Sequence, residues 1–250
     1  MKHKLLIILI LAVFASFTSC KKAPLTVGKT VTESRDLQGF KEVYLYDNIN
    51  LSLVRADETK IIITTGENII DNISTKVSDS ILTISNTTSC NWIRPYDYEL
   101  HATLYYKEIT NFIFSSSGNV ESLNQYNSPD TSVRKHRFVI DDASGDVDLL
   151  VNNCRGFYLE YLSGTSQVTL HGNNNHLFDV FKKSFGILDA RDFQMNYVDI
   201  TSNSKGDCYI WATDSIKANI SSLGNVYYKG DPEKIQVTYG EFAIGKLLPF

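Results

Sequence analysis

The chain has 250 residues, with 24 lysines and arginines against 28 aspartates and glutamates, so its formal net charge is −4. It contains no extended basic block, which argues against nucleic-acid binding as its function. The length suits one or two domains.

The first predicted element is an export signal over residues 1–19. A basic start, Met1–Lys4, precedes an almost wholly apolar run from Leu5 to Phe17. This run is too short to cross a bilayer comfortably as a helix. Phe17–Cys20 resembles a bacterial lipobox, and the resemblance implies that Cys20 becomes the first mature residue and carries lipid. The alternative is a simple secretory signal with an incidental cysteine.

Residues 20–36 are predicted to form the lipid anchor and a polar tether. Lys21 follows the cysteine, whereas an aspartate there would resemble an inner-membrane retention signal. We therefore expect an outer-membrane lipoprotein that faces the periplasm, with surface display as the alternative. The expected partners are the membrane, through the lipid on Cys20, and a protein or glycan. We expect no cofactor and no nucleic acid.

From Phe40 onward, short stretches alternate apolar and polar residues with the period of two that is typical of β-strands. Asp and Asn separate the stretches, as turns require. No segment keeps a helical period of 3.6, although residues 68–77 could hold one helical turn. The sequence therefore predicts an all-β domain over residues 37–250.

A repeat of about twenty residues organises the second half of this domain. Each repeat has a turn glycine shortly before an apolar residue, and successive glycines are 27, 19, 22, 20 and 18 residues apart. Such a period indicates a stacked solenoid. We predict a single-chain parallel β-helix with coils of about twenty residues, and an antiparallel β-sandwich is the alternative. The turn glycines are Gly118, Gly145, Gly164, Gly186, Gly206 and Gly224.

The repeat also predicts how the coils pack. Apolar residues at one phase should stack as an internal ladder at the strand spacing of about 4.8 Å. The glycines should supply positive φ angles at the turns. Because solenoid ends need covering, the apolar tail at 242–250 is predicted to cap the last coil. The residues of the predicted ladder are Phe138, Phe157, Phe178 and Val198.

Three cysteines remain after Cys20, and an odd number allows at most one bridge. Cys208 takes the place of a Val or Leu in the repeat, so we predict that it is a small core residue. Cys90 and Cys154 are the pair considered for a disulfide, and the sequence leaves open whether they are bridged.

Candidate catalytic residues come from the spacing of the coils. Asp148 and Asp189 fall at the same phase, with Thr169 between them, which places them about 9.6 Å apart. Carboxylates about 6.5–9.5 Å apart are typical of inverting glycosidases. The interpretation that we prefer is a solvated outer face, on which strand alternation demands polar residues.

No metal site is predicted. The aspartates between residues 141 and 148 fit no calcium loop and are expected to solvate a turn. His171 and His176 flank a loop of asparagines, and zinc would need two further ligands there.

Aromatic residues give the best guess for a binding site. Trp92 lies in a predicted loop beside Arg94 and Tyr96, where it could dock a partner or cap a coil end. The tyrosines of the repeats could bind a glycan or protein, and the alternative is that they stack from strand to strand and only stabilise the sheet.

The strand and turn patterns resemble those of the putative auto-transporter adhesin family with a head GIN domain, over about residues 37 to 228. This resemblance implies a right-handed β-helix and brings no catalytic residues. The motifs that carry it are Phe40-x-x-Val43, Asn48–Val54, Ser80–Ile84 and Phe112–Val120.

The predicted function is therefore a non-enzymatic adhesion, interaction or scaffolding module of the cell envelope, which presents flat faces to a protein or glycan. The alternative is a polysaccharide lyase or hydrolase with Asp148 and Asp189 as its acids.

Overall fold

A computed structural model of the chain describes residues 26–88, 98–128 and 135–250. Strands dominate these residues, and one turn of 3₁₀ helix at Ile70–Asn72 is the helical structure found in them. The predicted all-β class is confirmed, including the position of the one helical turn. In the same part of the chain, no helix is long and apolar enough to span a membrane.

The described residues form eighteen strands. The first nine are β1 Thr30–Asp36, β2 Glu42–Asp47, β3 Asn50–Arg55, β4 Lys60–Gly66, β5 Ile73–Ser78, β6 Ile81–Asn86, β7 His101–Tyr106, β8 Asn111–Ser116 and β9 Val120–Ser122. The others are β10 His136–Ile140, β11 Val147–Leu150, β12 Gly156–Tyr161, β13 Val168–Lys182, β14 Leu188–Ser202, β15 Cys208–Ile220, β16 Val226–Lys229, β17 Lys234–Tyr239 and β18 Leu247–Pro249.

These strands join into one large mixed sheet. The antiparallel pairings among them are β1 with β4, β4 with β7, and β5 with β6, all in the amino-terminal part. Every other pairing of the described strands is parallel, as the repeat predicts. The amino-terminal strands thus fold back on one another, whereas the later strands follow one direction.

The parallel pairings form two series. The first series runs through β7, β3, β9, β11, the first parts of β13, β14 and β15, then β16 and β18. The second series runs through β6, β2, β8, β10, β12, the second parts of β13, β14 and β15, then β17. In the first series Val168 lies opposite Leu188, and Leu188 opposite Cys208. In the second, Phe178 lies opposite Val198. Each residue therefore meets the equivalent residue about twenty positions later.

The internal ladder is present with one correction. Phe157 lies opposite Phe178, and Phe178 opposite Val198, as predicted. Phe138, however, lies opposite Leu159 and not Phe157. The spacing of 19 residues suggested the wrong partner because the register between β10 and β12 runs at 21 residues.

The turn glycines are required by close approach and not, in general, by positive φ. A Cβ atom built on Gly224 would collide with the backbone carbonyl of Gly206, and one on Gly245 with that of Gly224. Of the six predicted turn glycines, only Gly164 has a positive φ, 103°. In the stretch that contains Gly164, Ser166 takes the place that the turn glycines have elsewhere, next to the backbone of the neighbouring turn. A Cβ atom on Gly186, the glycine of the following turn, would collide with the carbonyl of Ser166.

Polar side chains at the same turns bond both within a turn, as Ser116 Oγ does by accepting the N–H of Gly118 at 3.0 Å, and to the neighbouring turn. Asn50 Oδ1 accepts the backbone N–H of Asn119 at 2.9 Å, and Asn119 Oδ1 accepts that of Asp146 at 2.9 Å. Asp146 Oδ1 in turn accepts the N–H of Gln167 at 3.2 Å. These bonds satisfy backbone groups at the corners, where the strand ladder is interrupted.

Among the residues that the structure describes, the interior holds one buried ammonium group. Lys182 is fully buried, and its Nζ donates to Ser204 Oγ at 2.8 Å and to the carbonyl oxygen of Gly206 at 2.7 Å. Burial lowers the pKa of Lys182. The amine lies 5.6 Å from the ring centroid of Tyr161, so an aromatic face replaces part of its lost hydration.

Cys208 is fully buried in the first series, as predicted for a core residue. Burial raises its pKa to about 11. Cys154 is also a buried free thiol whose pKa burial raises to about 11. Cys90 lies outside the described residues, and the bridge between Cys90 and Cys154 that the sequence leaves open is not found, since Cys154 is a free thiol.

The apolar tail, for which the sequence predicts a cap, continues the stack. Strand β18 pairs in parallel with β16 and satisfies its free backbone edge. Phe242 is 80% exposed, and Ile235 and Val237 of β17 are 42% and 39% exposed although they lie in line with core residues. The described tail therefore adds a strand and does not cover this end.

We predict that Gly224→Ala lowers the free energy of unfolding by about 1–3 kcal/mol, because the methyl group forces adjacent coils apart. Gly39→Ala is the matched control: Gly39 is exposed and has no heavy atom within 4 Å of its built Cβ. We expect it to change stability by less than about 0.5 kcal/mol. Urea unfolding measures both, and equal values would contradict the close-approach explanation.

Candidate functional site

Two adjoining hollows lie on the outer face of the first series. Their volumes are about 490 and 410 Å³, and Thr169 lines both. Polar and charged side chains make up most of their walls. Besides Thr169, the first is lined by residues including Asn50, His101, Asn119, Glu121, Asp146, Asp148 and Gln167, and the second by residues including His171, Asp189, Arg191, Asp192, Lys229 and Phe250.

The first hollow has a hydrogen-bonded cluster from three strands. Ser52 Oγ on β3 donates to Glu121 Oε1 on β9 at 2.7 Å and lies 3.2 Å from His101 Nε2 on β7. In a nucleophilic triad the histidine stands between the hydroxyl and the carboxylate, whereas here the buried hydroxyl of Ser52 stands between the other two. The arrangement therefore does not match a nucleophilic triad, and the side chains of His101 and Glu121 form part of the polar wall of the first hollow. Sequence reasoning missed it, because the three residues are separated by about fifty and twenty positions.

Asp148 and Asp189 share the phase predicted for them. Asp148 lies opposite Thr169, and Thr169 lies opposite Asp189 in the next coil. The side chain of Asp148 is 61% exposed, and its Oδ1 lies 3.2 Å from His171 Nε2. Both carboxylates therefore lie on the face that lines the hollows.

Asp189 is bound by a neighbouring guanidinium. Arg191 Nε donates to Asp189 Oδ1 at 2.8 Å, and a second guanidinium nitrogen bonds to Oδ2. These bonds hold the pKa of the Asp189 carboxyl below its usual range. A general acid of a glycosidase needs a raised pKa, so this pair is better suited to binding than to proton donation.

Aromatic rings border the second hollow. Tyr209 and Tyr227 are stacked with ring centroids 5.0 Å apart and an interplanar angle of 11°, and Phe250 meets Tyr209 edge-on at 5.9 Å. Arg191 lies over Tyr209 at 5.1 Å. The tyrosine faces therefore cover one another from strand to strand, which was the structural alternative for these residues. Of these aromatic residues Phe250 lines the hollow itself, together with the cations Arg191 and Lys229.

The residues weighed as metal ligands have other roles. Asp141 Oδ1 accepts from Ser163 Oγ at 2.9 Å, as expected for turn solvation. His171 contacts Asp148, whereas the ring of His176 packs edge-on against Tyr197 with centroids 4.9 Å apart. Within the described ranges, no group of three or more His, Cys, Asp or Glu side chains could hold a metal ion.

Two predicted sites lie outside the described residues. They are the binding loop with Trp92, Arg94 and Tyr96, and the lipid-attachment residue Cys20. Both stay predictions.

A family model described as "Putative auto-transporter adhesin, head GIN domain" matches residues 39–232. No curated protein matches the chain. Among solved structures, a putative adhesin from Bacteroides fragilis has 20% identity and a TM-score of 0.75, with 90% of this chain and 99% of that chain covered.

Two further solved structures come from Parabacteroides distasonis. A putative adhesin has 16% identity and a TM-score of 0.54, with 89% of this chain and 98% of that chain covered. A putative lipid binding protein has 16% identity and a TM-score of 0.53, covering 89% and 97%. At these identities the likeness shows a shared fold.

We predict that Arg191→Met raises the pKa of the Asp189 carboxyl toward its ordinary value, because the bonds that favour the charged form are lost. In the unmodified chain the pair stabilises the fold above about pH 3.9, the pKa of an unfolded Asp. That contribution is lost as the pH falls through the lower folded pKa.

Carbon-detected NMR titration of Asp189 measures this shift, with Lys217→Met as the control because Lys217 pairs with Asp199 instead. A pKa of Asp189 above its ordinary value in the unmodified chain would contradict the prediction and favour a general acid.

Proposed function

Because the chain belongs to the putative auto-transporter adhesin family with a head GIN domain, we propose that it is a non-enzymatic adhesion module of the cell envelope. It binds a glycan along the outer face of the first series. The observation that carries this proposal is the pair of adjoining polar hollows that share Thr169. A protein ligand on the same face is the second outcome that the experiment below distinguishes.

The proposed architecture is a right-handed parallel β-helix. Its support is the pairing of each residue with the one about twenty positions later, in two series at once. In this arrangement the side chains of one face repeat at about 4.8 Å. A flat face with such a repeat can bind an extended ligand over several coils.

The chemistry of the hollows favours a glycan among extended ligands. Their walls present carboxylates, amides and a guanidinium, which donate to and accept from hydroxyl groups. Asp189 and Arg191 form a planar charged pair, and Phe250, which packs edge-on against Tyr209, supplies an aromatic wall. A predominantly apolar pocket, the usual site for a small hydrophobic ligand, is not what the lining residues provide.

The proposed location is the outer membrane, with the lipid on Cys20 as the anchor and the domain in the periplasm. The support is the sequence of residues 1–20, together with the family to which the chain belongs. A single acyl chain binds a membrane weakly, whereas several chains on one residue hold stably.

The experiment for glycan binding is a glycan-array screen followed by titration of the best ligand. We expect that Arg191→Ala weakens binding by about tenfold or more, because a charge-assisted hydrogen bond is lost. Lys217→Ala is the matched control, since it removes an ion-paired cation of similar exposure from the second series. Equal losses in both variants, or ligands found only among proteins, would overturn the glycan proposal.

The experiment for anchoring compares the unmodified chain with Cys20→Ala in cells. We expect that the unmodified protein incorporates labelled palmitate and fractionates with the outer membrane, and that Cys20→Ala does neither. Protease treatment of intact cells then reports its side of the membrane. Labelling that persists in Cys20→Ala would refute this attachment site, and cleavage without lysis would show surface display.

A further inference from the structure

Large apolar side chains protrude from the turns of the carboxyl-terminal coils. Phe185 and Ile187 precede β14, Leu223 precedes β16 and Ile244 precedes β18. Their exposed fractions are 61%, 43%, 45% and 69%. We call these four residues, with the exposed Lys183 and Lys205, the apolar ridge.

The ridge is continuous because the turns stack on one another. Gly206 approaches the carbonyl of Phe185, and Gly245 approaches that of Leu223. Lys205 belongs to the turn between Phe185 and Leu223, and its Nζ lies 5.6 Å from the centroid of the Phe185 ring. One lysine, Lys205, therefore lies between the apolar side chains of Phe185 and Leu223 along one corner of the stack.

The fold itself does not require apolar residues here. In the earlier coils, Ser117, Ser144 and Thr165 occupy the position of Phe185, directly before the close-approach residue. Ile187 occupies the position at which Asn119 and Asp146 accept a backbone N–H from the next coil. At the ridge, apolar side chains thus replace polar turn residues, and Ile187 stands where other turns have a side chain that accepts a hydrogen bond.

We propose that the apolar ridge inserts into an anionic lipid surface. Large apolar side chains can enter the boundary between headgroups and acyl chains, while lysines beside them meet anionic headgroups. Lys183 and Lys205 give the ridge a basic character in a chain whose net charge is −4. Of the nearby acids, Asp207 Oδ1 accepts the N–H of Asn225 at 2.8 Å, and Glu241 is exposed in the last turn.

A bilayer fits the shape of the ridge better than a second copy of the chain does. A stable protein interface buries about 800 Å² on each partner, whereas the ridge consists of four exposed apolar side chains and two lysines along one line of turns. If Cys20 carries lipid, as in the proposed function, six residues or about 20 Å of extended chain separate the anchor from Thr26. The described domain then lies within reach of the membrane.

The test is flotation of the chain from Lys21 onward, which keeps every described residue and has no acyl group. The vesicles are phosphatidylcholine, either alone or with about one-third phosphatidylglycerol. We expect binding to the anionic vesicles and a loss of about tenfold or more in the double variant Phe185→Ser, Leu223→Ser. Lys183→Gln and Lys205→Gln should each weaken binding to the anionic vesicles by about fivefold.

Leu123→Ser is the matched control, because Leu123 is 60% exposed but lies in the amino-terminal part, away from the ridge. We expect it to float like the unmodified chain. No flotation, an equal loss in the control, or a dimer in sedimentation that the double variant dissociates would overturn the proposal. Glycan binding is titrated on the same samples. Loss of glycan binding would count against the proposed function of the hollows, whereas loss of flotation would count against lipid binding by the ridge.

Discussion

The close approach of neighbouring coils at the turn glycines is the constraint on which the rest of the structure depends. Parallel strands pair only if adjacent coils stay about 4.8 Å apart along their whole length. At the corners the backbone of Gly224 lies against the carbonyl of Gly206, and a methyl group would occupy that space. Because the turns close to this distance, the phase of the repeat is kept from coil to coil, and inward and outward residues stay in line.

That alignment brings single residues that are far apart in sequence onto one outer face. Glu121, Asp148, Thr169 and Asp189 come from four successive coils and line the same outer face. The charged groups among them are paired across or within coils, as Asp189 is with Arg191. Paired and hydrogen-bonded groups are held in position before a ligand arrives, which reduces the entropy cost of binding.

The same stacking separates two kinds of surface. The strands of the first series present a polar face, while the turns that precede them present the apolar ridge at the adjoining corner. Ile187 belongs to the ridge and Asp189, two residues later, to the face. A ligand on the face and a lipid surface at the ridge therefore meet different side chains.

Sequence alone determined the all-β class and predicted that residues about twenty positions apart pair in parallel, because alternation and the spacing of the glycines are local signals. It also identified Cys208 as a core residue and placed Asp148 and Asp189 at one phase. Tertiary structure decided what depends on register between coils: the partner of Phe138, the Ser52–Glu121–His101 cluster, and the reason for the glycines. Counting residues gives an average period, whereas each of these contacts depends on the actual length of one coil.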